Sequence, residues 1–178
     1  MKTILNRYAG ILVCTIMAIF FFSCKTIPDG AVAVKSFDSE KYLGKWYEIA
    51  RLDFKQERNL NNTTAEYSLN DDGTIKVVNR GYNYVKNENT EAEGKAKFVD
   101  SPNEGKLKVS FFGPFYSGYN VIAIDPEYRY AMVAGKNLDY LWLLSREKTM
   151  PVEFQQSYLR QARNIGYKTE DLIWVEHK

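Results

Sequence analysis

His177 is the single histidine of this 178-residue chain, and Cys14 and Cys24 are its two cysteines. Acyl or phosphoryl transfer asks for a nucleophile, a base within reach and donors for the developing charge. His177 stands beside the C-terminal residue, and no G-x-S-x-G run sets a serine on a sharp turn. No His, Cys, Asp or Glu cluster has the spacing of a metal site. The expectation is therefore no catalysis, no metal and no cofactor. What remains is the chemistry of a binder. Glu48 lies within KWYEIARL (45–52), an apolar-rich run. Its carboxylate could meet a cationic head group or a hydroxyl, or be satisfied by nearby Tyr or Arg, as buried carboxylates usually are. A second concentration of chemistry is VSFFGPFYSGYN (109–120), five rings around Gly113-Pro114. Turn formers put that bend at a surface.

The thiol of Cys24 has an unusual setting. Lys2 and Arg7 form a positive head, followed by the unbroken apolar run YAGILVCTIMAIFFF (8–22). A span needs about 20 apolar residues, so this run fits the core of a signal peptide, residues 1–23, removed by cleavage. Ser23-Cys24 resembles the lipobox of bacterial lipoproteins, although Phe21 and Phe22 replace the commoner Leu and small residue. That resemblance implies N-acyl and S-diacylglycerol groups on Cys24. Counting agrees, because Cys14 leaves with the signal peptide and Cys24 then has no disulfide partner. Such acylation exceeds the two signals needed for stable attachment to a membrane. Residues 24–36, with Pro28 and Asp29-Gly30, read as a lipidated tether. Residues 37–178 read as one domain. Lys2 and Arg7 are the only charges before Cys24, so the mature chain has 22 basic and 22 acidic side chains. That balance gives no case for nucleic acid.

The elements that must position these residues are strands. Eight runs alternate with turn clusters: KWYEIARL, TTAEYSL, TIKVVNRGY, TEAEGKAKFV, GKLKVSFF, GYNVIAID, YAMVAG and YLWLLSR. Short connections favour an all-β, eight-stranded antiparallel up-and-down barrel over an immunoglobulin-like sandwich. Phe154, Tyr158, Leu159, Ala162 and Ile165 recur at helical spacing, which predicts one amphipathic helix packed outside. DLIWVEHK reads as a short final strand. Alternation turns Ala92, Gly94, Ala96 and Phe98 inward, and likewise Leu107, Val109 and Phe111. Small inward residues predict a lumen that is not filled.

Gly44 and Trp46 in YLGKWYEIARLD resemble the G-x-W motif of the lipocalin family. DPEYRYAMV is similar to the family's second motif, keeping Asp125 and Tyr130 but carrying Pro126 for the central Tyr and Ile124 for Thr. Arg146 stands where lipocalins carry an arginine over the first-strand tryptophan. The resemblance covers residues 37–176 and is strongest to the bacterial lipoprotein branch, with apolipoprotein D as an animal relative by pattern. It implies that these five residues close the base of a barrel. The other end then gathers the longer loops, and Phe112, Phe115 and Tyr116 rim its mouth. Parity from Trp46 turns Glu48, Ala50 and Leu52 inward, and parity from Arg146 gives Leu144, Trp142 and Tyr140. The resemblance itself places Asn120, Ile122 and Ile124 inside. It further implies fatty acids and lysophospholipids as ligands, stored or carried in the barrel. It implies an anchor in the outer membrane with the barrel facing the periplasm, and it is compatible with a homodimer. The rim residues leave three partners open, ligand, membrane or a second subunit, and the alternatives to a lipid carrier are an interaction module with a filled barrel or a binder of another small hydrophobic ligand.

Overall fold

The computed structural model describes residues 26–178, so the expected signal peptide, residues 1–23, and Cys24 lie outside the described residues. Nine strands form a single antiparallel sheet: β1 Gly44–Leu52, β2 Leu60–Leu69, β3 Ile75–Asn83, β4 Glu88–Phe98, β5 Lys106–Phe112, β6 Phe115–Ile124, β7 Tyr130–Ala134, β8 Leu141–Ser145 and β9 Leu172–Trp174. Their order is β2-β3-β4-β5-β6-β7-β8-β1-β9, and β1 also pairs with β2, which closes the first eight into a barrel. Closure leaves no bare edge among those eight. The final strand adds to β1 through Ala50↔Trp174 and Leu52↔Leu172.

Two helices finish the fold. The one-turn α1, Ser39–Tyr42, precedes β1, and Asp38 caps it by accepting from the Lys41 amide at 3.1 Å. The helix α2, Val152–Ile165, stops at Gly166, whose φ of 110° suits the left-handed cap. Tyr158 and Ala162 bury its apolar stripe, with Phe154, Leu159 and Ile165 flanking it. That stripe covers an outer face formed by Ile49, Ala50, Leu52, Ile122, Met132, Leu141 and Leu143. Among the described residues, no helix covers the opposite wall. Its outer side carries a surface ladder instead, with Arg80 bridging Glu66 and Glu91 at 2.7 and 2.8 Å and Lys76 meeting Glu93 at 2.8 Å.

Residues 26–36 are not a free tether. They lie on the barrel wall, with Ala31 and Ala33 buried. The Val34 amide donates to Val121 O at 2.9 Å, the Gly105 amide donates to Val34 O at 2.9 Å, and Lys35 bridges Glu104 at 2.6 Å. Pro28 and Asp29-Gly30 turn the strap without detaching it. The reason is burial: small apolar residues here fill the groove beside β6.

Four strands, β1, β2, β5 and β6, carry a register step, and those in β1 and β6 bear on the residues expected in the wall. In β1 the partners on β8 step from Glu48↔Leu144 to Ala50↔Leu143, and in β6 the partners on β7 step from Val121↔Val133 to Ala123↔Met132. Each step is a bulge, which adds one residue, Ile49 or Ile122, and reverses the parity beyond it.

Candidate functional site

The base is sealed by the motif residues. Trp46 is fully buried, and its indole Nε1 donates to Tyr42 O at 2.8 Å. The Arg146 guanidinium lies 3.9 Å from the Trp46 ring centroid and donates to the carbonyls of Lys41, Leu43, Lys45 and Tyr128 at 2.7 to 3.2 Å. A planar fork can do both at once, because stacking leaves all its N–H groups free to donate in the plane. Gly44, at φ 90°, would place a Cβ 3.5 Å from that guanidinium. Asp125 accepts from the amides of Glu127, Arg129 and Tyr130, which folds the turn before β7. Tyr130 points outward and packs on Phe154 of α2 with centroids 4.4 Å apart.

Above the plug, inward side chains sort by level. In the base half Ile75, Val77, Ala96, Leu107, Val121, Ala131, Val133 and Leu144 are buried against one another. Next comes a tyrosine floor, in which the Tyr119 hydroxyl meets those of Tyr42 and Tyr67 at 2.6 and 2.7 Å. Burial pushes all three phenols up, so they stay neutral. Toward the mouth, Asn79, Val109, Phe111 and Trp142 are only half-buried and Ala92 is exposed. An inward-facing alanine that solvent reaches marks an open lumen. Gly94 does not add to that space: a Cβ there would stand 2.8 Å from the Phe111 ring, so the glycine makes room for Phe111. Ala96 and Phe98 belong to the filled base.

The mouth half also holds a polar cluster. Arg51 is 1% exposed, and its Nη1 donates to Glu48 Oε1 at 2.7 Å. Its Nη2 donates to the carbonyls of Glu57 and Leu60, and its Nε has no hydrogen-bond partner. Glu57 Oε2 stands 4.0 Å from that Nε and accepts from Trp142 Nε1 at 3.1 Å. Burial raises both carboxylates above their ordinary range. Arg51 opposes the shift at Glu48, and the Glu48 charge adds to it at Glu57. Phe54 completes this end, its ring 5.5 and 5.6 Å from Trp142 and Tyr140. Half-buried apolar side chains thus stand beneath a few convergent polar groups, an arrangement suited to a small-molecule site.

Several expected wall residues are placed elsewhere. Ala50 and Leu52 face α2, because the bulge at Ile49 reverses β1 after Glu48. Asn120 also faces outward, where its amide donates to Thr26 O, Ala134 O and Gly135 O. Ile122 is the bulge residue of β6 and packs beneath α2, while Ile124 returns to the interior. Arg51, Glu57, Tyr67, Asn79 and Tyr119 were not anticipated. One signal for Arg51 was present: Glu48 and Arg51 are three apart in an apolar strand, and such charges share a face only across a bulge. Glu48, Ala92, Val109, Phe111 and Trp142 lie in the lumen, and Tyr140 stands at its edge.

Residues 37–177 match the family model described as "Lipocalin-like domain". The chain belongs to the lipocalin family. It is 52% identical over 154 residues to the outer membrane lipoprotein Blc of Citrobacter freundii, covering 86% of this chain and 87% of that protein. Against the protein of the same name from Vibrio cholerae it is 47% identical over 156 residues, covering 87% and 91%. Apolipoprotein D of Rattus norvegicus is more distant, at 35% identity over 127 residues, covering 67% of this chain and 66% of that protein. Among solved structures, insecticyanin from the tobacco hornworm Manduca sexta superposes with a TM-score of 0.66 at 19% identity, covering 85% and 86%, a likeness of fold. Lipocalins are in general binding proteins for small hydrophobic ligands.

Proposed function

We propose that this lipocalin is an acylated lipoprotein of the outer membrane that takes single-chain lipids, fatty acids and lysophospholipids, into its barrel for storage or transport on the periplasmic side. The open upper lumen carries the reading. An acyl chain would lie along Val109, Phe111 and Ala92, and its polar end would meet Glu48, Arg51 and Glu57 near the mouth. Arg51 Nε, a buried donor without an acceptor, supports a polar ligand atom at that level. The Blc names of the bacterial relatives support the membrane assignment, and Ser23-Cys24 supports acylation at Cys24. Solvent extraction of the purified protein followed by mass spectrometry is expected to release one acyl chain per barrel. Displacement of a fluorescent fatty acid by lysophospholipid should agree. A barrel that yields no lipid and binds no probe would refute the reading.

A further inference from the structure

We propose that the lumen selects acyl chains that carry a hydroxyl group, held by Asn79 between the mouth cluster and the tyrosine floor. This deepens the lipid-carrier reading and rests on it. The observation that carries it is a buried acceptor without a donor, set in a stretch of wall made of small side chains.

The inward positions of β3 run Ile75, Val77, Asn79 and Gly81 from base to mouth. Ile75 and Val77 are buried in the filled base, so Asn79 is the first inward side chain of this strand above that packing. Asparagine is depleted in strands, and its amide asks for partners that an apolar face does not supply. Here the register sets Ala65 of β2 on one side and Ala92 of β4 on the other. Neither methyl group can donate, and Asn79 Oδ1 is buried with no hydrogen-bond partner among the described residues. Such a group is costly to leave unpaired. Asn83, further up the same face, shows the contrast: its Oδ1 accepts from the amides of Val85 and Lys86 and shapes the β3–β4 turn. Asn79 has no such local task.

Its neighbours make this one point on a polar line up the lumen. Below it, Tyr67 pairs with Val77 across β2 and β3, and its hydroxyl belongs to the floor with those of Tyr119 and Tyr42. Each phenol oxygen accepts twice but donates once, so the floor keeps lone pairs that its own hydrogens cannot fill. One inward step above Asn79, about 7 Å along the strand, is Gly81. A Cβ there would lie 3.0 Å from the Thr63 methyl group, and Thr63 and Glu57 both stand beside the Glu48 carboxylate. The inward residues of β5, by contrast, are Leu107, Val109 and Phe111, which suit the methylenes of the chain. A hydroxyl fits the place of Asn79 better than the alternatives. It can donate to the amide oxygen and accept from the amide nitrogen or a floor phenol. A carboxylate would face Glu48 and Glu57 just above, and a methylene would leave the amide unpaired. The terminal torsion of asparagine is broad, so rotation about χ2 alone turns either end of the amide to the lumen.

The test is competition on the purified protein, with a fluorescent fatty acid as the probe. The competitors are stearic acid and a set of hydroxystearic acids that differ only in where the hydroxyl stands. Partitioning alone makes every hydroxylated chain the weaker competitor, because the added polar group resists leaving water. One isomer, or a pair of neighbouring isomers, is expected to compete several-fold better than stearic acid. Asn79→Leu, close in shape but apolar, should reverse that order. Asn79→Ala, which matches the flanking alanines and adds no bulk, should likewise erase the advantage. If stearic acid competes and every isomer is weaker, the proposal falls alone. An equal advantage for all isomers, or one that survives in both variants, would also overturn it, since neither depends on a hydroxyl held at Asn79. If neither the probe nor stearic acid binds, the lipid-carrier reading fails and this proposal with it.

Discussion

The base and the mouth halves of this barrel are built from the same strands, yet they spend their residues differently. Below the Tyr42–Tyr119–Tyr67 hydroxyl chain, apolar side chains meet face to face and a helix turn seals the end. Above it, apolar inward residues such as Val109, Phe111 and Trp142 are half-exposed, and the buried Arg51 is shared between two carboxylates. Close packing stabilises, whereas an open lumen forgoes contacts that a ligand can later supply. Stability is thus concentrated where no ligand goes, and the mouth half is left free for selectivity.

Substitutions at matched positions break this contrast most sharply. Trp46→Ala empties the sealed base and should cost about 4 kcal/mol, read as a large fall in melting temperature. Trp142→Ala, half-exposed in the mouth, should cost only about 1 to 2 kcal/mol while weakening displacement of a fatty-acid probe. Between these two in size is Arg51→Met, which strands two buried carboxylates and should cost about 3 kcal/mol in denaturant titration.

A pH experiment probes the same cluster. Glu48 and Glu57 bind protons more tightly folded than unfolded, so their contribution to stability declines as pH rises from the ordinary carboxylate range through their raised folded values. Glu57→Gln keeps an acceptor for Trp142 and should flatten that decline when melting is compared at about pH 5 and about pH 8. The smallest stability effect belongs to Ala92→Leu. It should leave melting within about 0.5 kcal/mol of the parent. Binding of long-chain probes should drop, because the new side chain occupies the lumen.

Much of this architecture was readable in the sequence because period-2 alternation and turn chemistry are local. All eight barrel strands, the helix and the role of Arg146 over Trp46 follow from such signals and from the motifs. Asn120 was placed inside by the resemblance, and its amide instead holds Thr26 of the strap. Ala50, Leu52 and Ile122 were misplaced for one shared reason. A bulge is one extra residue, and nothing local distinguishes Ile49 or Ile122 from its neighbours. Their outward turn is dictated by α2, which is distant in sequence. Glu57 and Tyr119 escaped notice because one lies on a loop that folds back over the mouth and the other is defined by hydroxyls from α1 and β2. Gly94 carries a further lesson. A small inward residue need not mark empty space, because a large neighbour can fill it from the next strand.

The one-sided cover of the barrel has a dynamic consequence. Strands β6 to β8 and β1 lie beneath α2 and the strap, while β3 and β4 face water across a ladder of surface ion pairs. Exposed pairs of that kind hold a sheet only weakly. Amide exchange with solvent deuterium should therefore start in β3 and β4 and reach the covered arc last, so the wall breathes on the side away from the strap.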